Sequence, residues 1–106
     1  MKEPMITLCI RYQIDHHKLR DFETYARALA QPIRRCGGEL AGYFLPTRFA
    51  GRTNEALALI GFPDLGAYER YRDALARDEA AAECLARVES TGCIVSEDRS
   101  FLQQVS

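Results

Sequence analysis

The chain has 106 residues, 14 Lys and Arg against 15 Asp and Glu, a formal net charge of -1 and a hydrophobic share of 47%. That length fits one domain, 1–106, since most domains run to about 100–150 residues. The apolar share argues against disorder, and the balanced charge argues against a nucleic-acid partner, which usually draws a basic excess. No apolar run approaches the roughly 20 residues that cross a bilayer, so no membrane partner is expected. Met1-Lys2-Glu3-Pro4 sets an acid and a proline where a signal peptide would begin its apolar core, which points to the cytoplasm.

The first element is a strand from Met5 to Ile14. Ile6, Leu8, Ile10, Tyr12 and Ile14 alternate with Thr7, Cys9, Arg11 and Gln13, the period of two that one buried face requires. Asp15 stands where a helix N-cap would. Leu19, Phe22, Ala26, Leu29, Ile33 and Cys36 then follow steps of three and four and form one helical stripe. Pro32 lacks the N–H that would bond Ala28, which predicts a kink or loose last turn. Gly37 or Gly38 suits the left-handed cap.

Glu39 to Phe49 reads as a second strand with an irregularity at Pro46. Ala50 to Asn54 has turn chemistry, and Glu55 to Phe62 is a third strand, paired with the second as a hairpin. That strand is apolar at both parities, the pattern of a strand covered on both faces. Asp64 caps a second helix with Leu65, Tyr68, Tyr71 or Arg72, and Leu75 inward. Asp78 continues or restarts it, and Gly92 ends it. Cys93 to Arg99 and Ser100 to Leu102 supply a last strand and tail, with Glu97-Asp98-Arg99 as a charged edge.

Strand, helix, strand, strand, helix, strand is the split βαβ order of a ferredoxin-like α+β sandwich. Right-handed crossovers place both helices on one sheet face. The other face carries too many apolar residues to meet water alone, so a homodimer is expected, sheet against sheet.

Cys9, Cys36, Cys84 and Cys93 stand too far apart for a zinc knuckle or redox pair and read as small buried hydrophobes. His16 and His17 are neighbours that diverge by about 100° on a helix, so no metal site is expected there. No phosphate-loop, dinucleotide, zincin or nucleophile-elbow motif is present in the sequence.

Several segments resemble the NIPSNAP family: the strand Ile6 to Tyr12, the helix running into Pro32 and Gly37-Gly38, and above all Thr53-Asn54-Glu55-Ala56-Leu57-Ala58-Leu59-Ile60-Gly61-Phe62-Pro63-Asp64-Leu65. Arg72 to Asp78 fits the family's arginine-rich helix and acidic restart. The sequence departs where the family often carries a Trp, because Asp78 is followed by Glu79-Ala80-Ala81-Ala82.

The resemblance implies a ferredoxin-like domain that dimerises into an α+β barrel, a homodimer of unassigned activity and, among small single-domain members, a bacterial protein. It transfers no catalytic residue, cofactor or metal. In such barrels the space between sheet and helices can hold a small, largely apolar ligand. Candidate lining residues are Tyr12, Tyr43 and Tyr68, with Arg11 or Arg48 at a rim; the competing and simpler reading is that these tyrosines only pack. The alternative function is a cofactor-free monooxygenase or isomerase of the antibiotic-biosynthesis-monooxygenase type. It needs an enclosed cavity of about 300 Å³ or more and an inward base, and no inward-facing His, Asp or Glu is evident in the sequence.

Overall fold

A computed structural model describes residues 6–106; the expected strand start at Met5 lies outside them. β1 spans Ile6–Ile14 and obeys the period of two: Leu8, Ile10, Tyr12 and Ile14 are buried, while Arg11 and Gln13 are exposed. α1 spans Leu19–Arg35 and buries Phe22, Tyr25, Ala26, Leu29, Pro32 and Ile33. The helix continues through Pro32. Only the bond to Ala28 is lost there, and Ala28 is exposed, so water can satisfy its carbonyl.

Asp15 does not cap α1. Its Oδ1 accepts from the backbone N–H of His17 at 2.9 Å, closing a turn ahead of the helix, and the N-cap position falls to Lys18. Lys18 instead reaches across the fold: its Nζ donates to the Thr91 carbonyl at 2.6 Å, at the negative end of a later helix. Past α1, Gly37 takes a φ of 111°, and Gly38 provides close approach. A Cβ on Gly38 would stand 2.8 Å from Ile60 Cγ2 and 3.0 Å from Ile33 Cγ2.

β2 spans Glu39–Phe44 and β3 spans Glu55–Phe62. The irregularity in β2 is a register shift between Leu40 and Gly42, not one at Pro46. Pro46 marks a different event: the strand ends before it, because proline offers no ladder donor and its predecessor is restricted. Thr47, Arg48 and Phe49 therefore belong to a long loop between the strands.

The expected second helix is two helices. α2 spans Leu65–Ala76 and α3 spans Glu79–Thr91. Asp64 caps α2 through the N–H of Ala67 at 2.8 Å, and Asp78 caps α3 through the N–H of Ala81 at 3.0 Å. Gly92, with φ of 67°, closes α3 in the left-handed region. β4 runs unbroken over Ile94–Gln103.

Asp78 also accepts from Arg35 at 2.6 Å, tying the end of α1 to the start of α3. That hydrogen bond, with the Ala81 N–H, holds the carboxyl below the usual aspartate range. A depressed folded-state pKa contributes stability above the unfolded value and loses it as pH falls through the folded one. Asp78→Asn is therefore expected to lower the melting temperature at pH 6 and to narrow the gap to the parent as pH falls below about 4. Thermal melts across that range check it; a gap that does not narrow would assign the tie another origin.

The sheet order is β2-β3-β1-β4, with every neighbouring pair antiparallel. This is the ferredoxin-like arrangement, with the core between one sheet face and the helices. β4 is an edge, as its charged run suggests. On the open face, Leu59 lies between Cys9 and Gly42, and Leu57 between Arg11 and Phe44. Phe44 is 48% exposed and Leu102, opposite Thr7, 47%. Cys9 is buried among its strand neighbours yet stands apart from the helix-side core.

Candidate functional site

The core is not filled evenly. Two aromatic clusters divide it. In the first, the Phe22 ring lies 4.9 Å from Tyr12, 5.7 Å from Tyr25 and 6.1 Å from Tyr43. In the second, Phe62 lies 4.9 Å from Tyr71 and 5.3 Å from Tyr68. Between them is a partly open cavity of about 220 Å³, walled by β1, β2 and β3 beneath, by all three helices and by Arg99 of β4. Its polar groups are the phenols of Tyr12, Tyr25, Tyr43 and Tyr71 and the guanidiniums of Arg72 and Arg99.

Strand alternation delivers Tyr12, Tyr43 and Arg99 to this side: Tyr43 pairs with Ala58 and Arg99 with Ile10, both buried and helix-facing. Tyr25 sits three residues after Phe22, one turn along α1, and Tyr71 is the buried residue of α2. The Tyr12 and Tyr43 hydroxyls meet at 3.5 Å. Burial pushes the Tyr12, Tyr25 and Tyr43 phenols well above the usual tyrosine range, and their mutual proximity adds to it. Burial also raises Tyr71, to about 12. All four are therefore protonated hydroxyls at neutral pH, able to donate hydrogen bonds and unsuited to act as bases. Burial works against the charge on Arg99, but its hydrogen bond to Glu97 and the Glu97 charge outweigh it, so Arg99 stays firmly cationic.

Two of the five expected residues, Tyr12 and Tyr43, line this cavity. Tyr68 lies outside it: its ring packs edge-on against Phe62 and Phe101, and its hydroxyl accepts from Arg72 at 2.8 Å. Arg11 is exposed on the opposite face of β1. Arg48 sits in the loop after β2, its guanidinium 5.8 Å from the Phe49 ring centre.

Sequence reasoning missed Tyr25, Tyr71, Arg72 and Arg99 as lining residues. Tyr25 borders the apolar stripe of α1, and its spacing from Phe22 was the available signal. Arg99 had no such signal, because its facing follows from the β1–β4 register. The same register corrects the reading that no acid faces inward: Glu97 pairs with Tyr12 and shares its side, and Arg99 Nε donates to Glu97 Oε2 at 2.8 Å. No group of three or more His, Cys, Asp or Glu among the described residues gathers to hold a metal ion.

The sequence profile of the NIPSNAP family matches residues 7–106. The chain belongs to the NIPSNAP family. It is similar in fold to a NIPSNAP family protein of unknown function from Agrobacterium tumefaciens, at 18% identity over 95% of this chain and 88% of that one, with a TM-score of 0.82. An uncharacterized NIPSNAP-like domain protein from Burkholderia xenovorans is 25% identical over 96% of this chain and 86% of that one, with a TM-score of 0.76. The fold extends beyond NIPSNAP proteins: SnoaB, a cofactor-independent oxygenase from Streptomyces nogalater, is 14% identical over 97% of this chain and 95% of that one, with a TM-score of 0.67. No curated protein matches the chain.

Proposed function

We propose that this NIPSNAP chain is a single-domain, homodimeric α+β barrel protein of the cytoplasm that binds a small, largely apolar molecule in the tyrosine-lined cavity. The observation that carries the reading is the convergence of four phenols and two guanidiniums from five elements on one partly open space. Few polar groups on an apolar wall is the ordinary makeup of a ligand pocket. A core built only for stability would fill such a space. The reducing cytoplasm suits four cysteines that are all free. The dimer is supported by the apolar strip of Phe44, Leu57, Leu59 and Leu102 on the sheet face that none of the described helices covers.

The oxygenase-like alternative rests on fold likeness and is weaker on chemistry. The phenols are held protonated, and Glu97 is committed to Arg99.

A thermal-shift screen of one- and two-ring aromatic compounds tests the binding reading. A compound at a hundred times its Kd should stabilise the protein by about 2.7 kcal/mol. Tyr43→Phe should weaken that compound about threefold to tenfold, as loss of one neutral hydrogen bond does, with little change in unliganded stability. A screen in which no compound raises the melting temperature would count against the cavity as a binding site.

A further inference from the structure

We propose that the ligand of this cavity is an anion, a small aromatic or enolic acid whose ring lies among the tyrosines and whose charged oxygens meet Arg99. The inference rests on the cavity reading above and narrows it to a ligand class. Its basis is a local imbalance of charge. The chain as a whole carries -1, yet the cavity wall contains two arginines and no Asp or Glu. Glu97 offsets part of this, but only from one side: it takes the Nε–H of Arg99 at 2.8 Å. The Nη edge of the guanidinium is left to bind, and a fork of N–H donors matches a carboxylate or enolate in geometry as well as charge. Arg72 gives one hydrogen bond to the Tyr68 hydroxyl, a partner that is not a carboxylate.

The phenols point the same way. Tyr12 and Tyr43 share one contact at 3.5 Å, in which a single O–H can donate, and this leaves the other O–H for a ligand oxygen. A wall of O–H and guanidinium N–H donors is well matched to an acceptor-only group. It is poorly matched to an amine or an ammonium, which would find no carboxylate on the wall. The volume sets the size: about 220 Å³ suits one or two fused rings and not a long polyketide.

The test compares 2-naphthoate with its neutral isostere 2-naphthamide by titration calorimetry on the full chain at neutral pH. The naphthoate is expected to bind about tenfold tighter or better, as a charge-assisted pair outdoes a neutral one. Arg99→Gln should bring the two ligands within about twofold of each other, the naphthoate losing far more affinity than the naphthamide. Arg99 is partly exposed on an edge strand, so this variant should fold. Arg52→Gln removes the same charge from the exposed loop before β3 and should leave the naphthoate preference intact, which separates contact from net charge. If naphthamide binds as tightly as naphthoate, or if Arg99→Gln keeps the preference, the anion inference fails and the cavity reading stands. If neither compound nor the smaller benzoate binds at millimolar concentration, both fail.

Discussion

Phe22→Ala is expected to destabilise the protein by about 3–5 kcal/mol. Phe22 is 0% exposed and touches three tyrosine rings at 4.9 to 6.1 Å. Removing it deletes a large buried surface and leaves a void that Tyr12 and Tyr43, anchored on strands, cannot close by moving. Set against a typical total of about 5–15 kcal/mol, the loss leaves little margin. Urea unfolding followed by circular dichroism should show the midpoint falling by about 2 M. Phe101→Ala is the control. Its ring also packs edge-on against a tyrosine, at 4.9 Å from Tyr68, but it is 45% exposed, and its loss should cost only about 1 kcal/mol. Equal costs for the two would mean that the Phe22 cluster relaxes around the void, and the cavity beside it would then be a soft space with no fixed wall.

The second large effect concerns assembly. In the proposed homodimer, Leu59→Asp should convert a species of twice 12.0 kDa into one of 12.0 kDa by light scattering at micromolar concentration. Leu59 is half-buried in the single chain and sits mid-sheet on the uncovered face, between Cys9 and Gly42. A carboxylate there keeps its water in the monomer and loses it in a sheet-to-sheet dimer. An unpaired buried charge costs several kcal/mol, and about 3 kcal/mol already raises a Kd roughly a hundredfold. Leu65→Asp, at a residue 59% exposed on the first turn of α2, should leave the mass unchanged. A parent protein already at 12.0 kDa would refute the dimer outright.

Local patterns carried much of the fold. The alternation of Ile6 to Ile14 fixes β1 and its buried face, because neighbouring side chains on a strand must point opposite ways. The stripe from Leu19 to Ile33 fixes α1, and Asp64 marks the start of α2 through a bond to its own third neighbour. The run from Thr53 to Leu65 carried the family. The break in the second helix was harder to read. Asp78 is compatible with a helix that continues or one that restarts, and its bond to Arg35, 43 residues away, accompanies the restart.

The candidate site divides along the same line. Tyr12 and Tyr43 were legible because strand parity places them inward once their strands are known. Tyr68 was assigned to the same space, and Tyr25 and Tyr71 were not, because on a helix a rotation of one residue, about 100°, decides which face meets the sheet. Glu97-Asp98-Arg99 shows the limit most clearly. From the sequence it reads first as the charged edge of the last strand. Once β4 aligns antiparallel with β1, so that Glu97 meets Tyr12 and Arg99 meets Ile10, two of its three charges share the tyrosine side and the third turns away. The sequence by itself determined β1, α1, the start of α2 and the need to cover apolar surface, since these follow from the pattern of side chains along one segment. Only the tertiary structure decided that a guanidinium stands among four phenols, because strand register is a relation between segments far apart in the chain, and no local pattern encodes it.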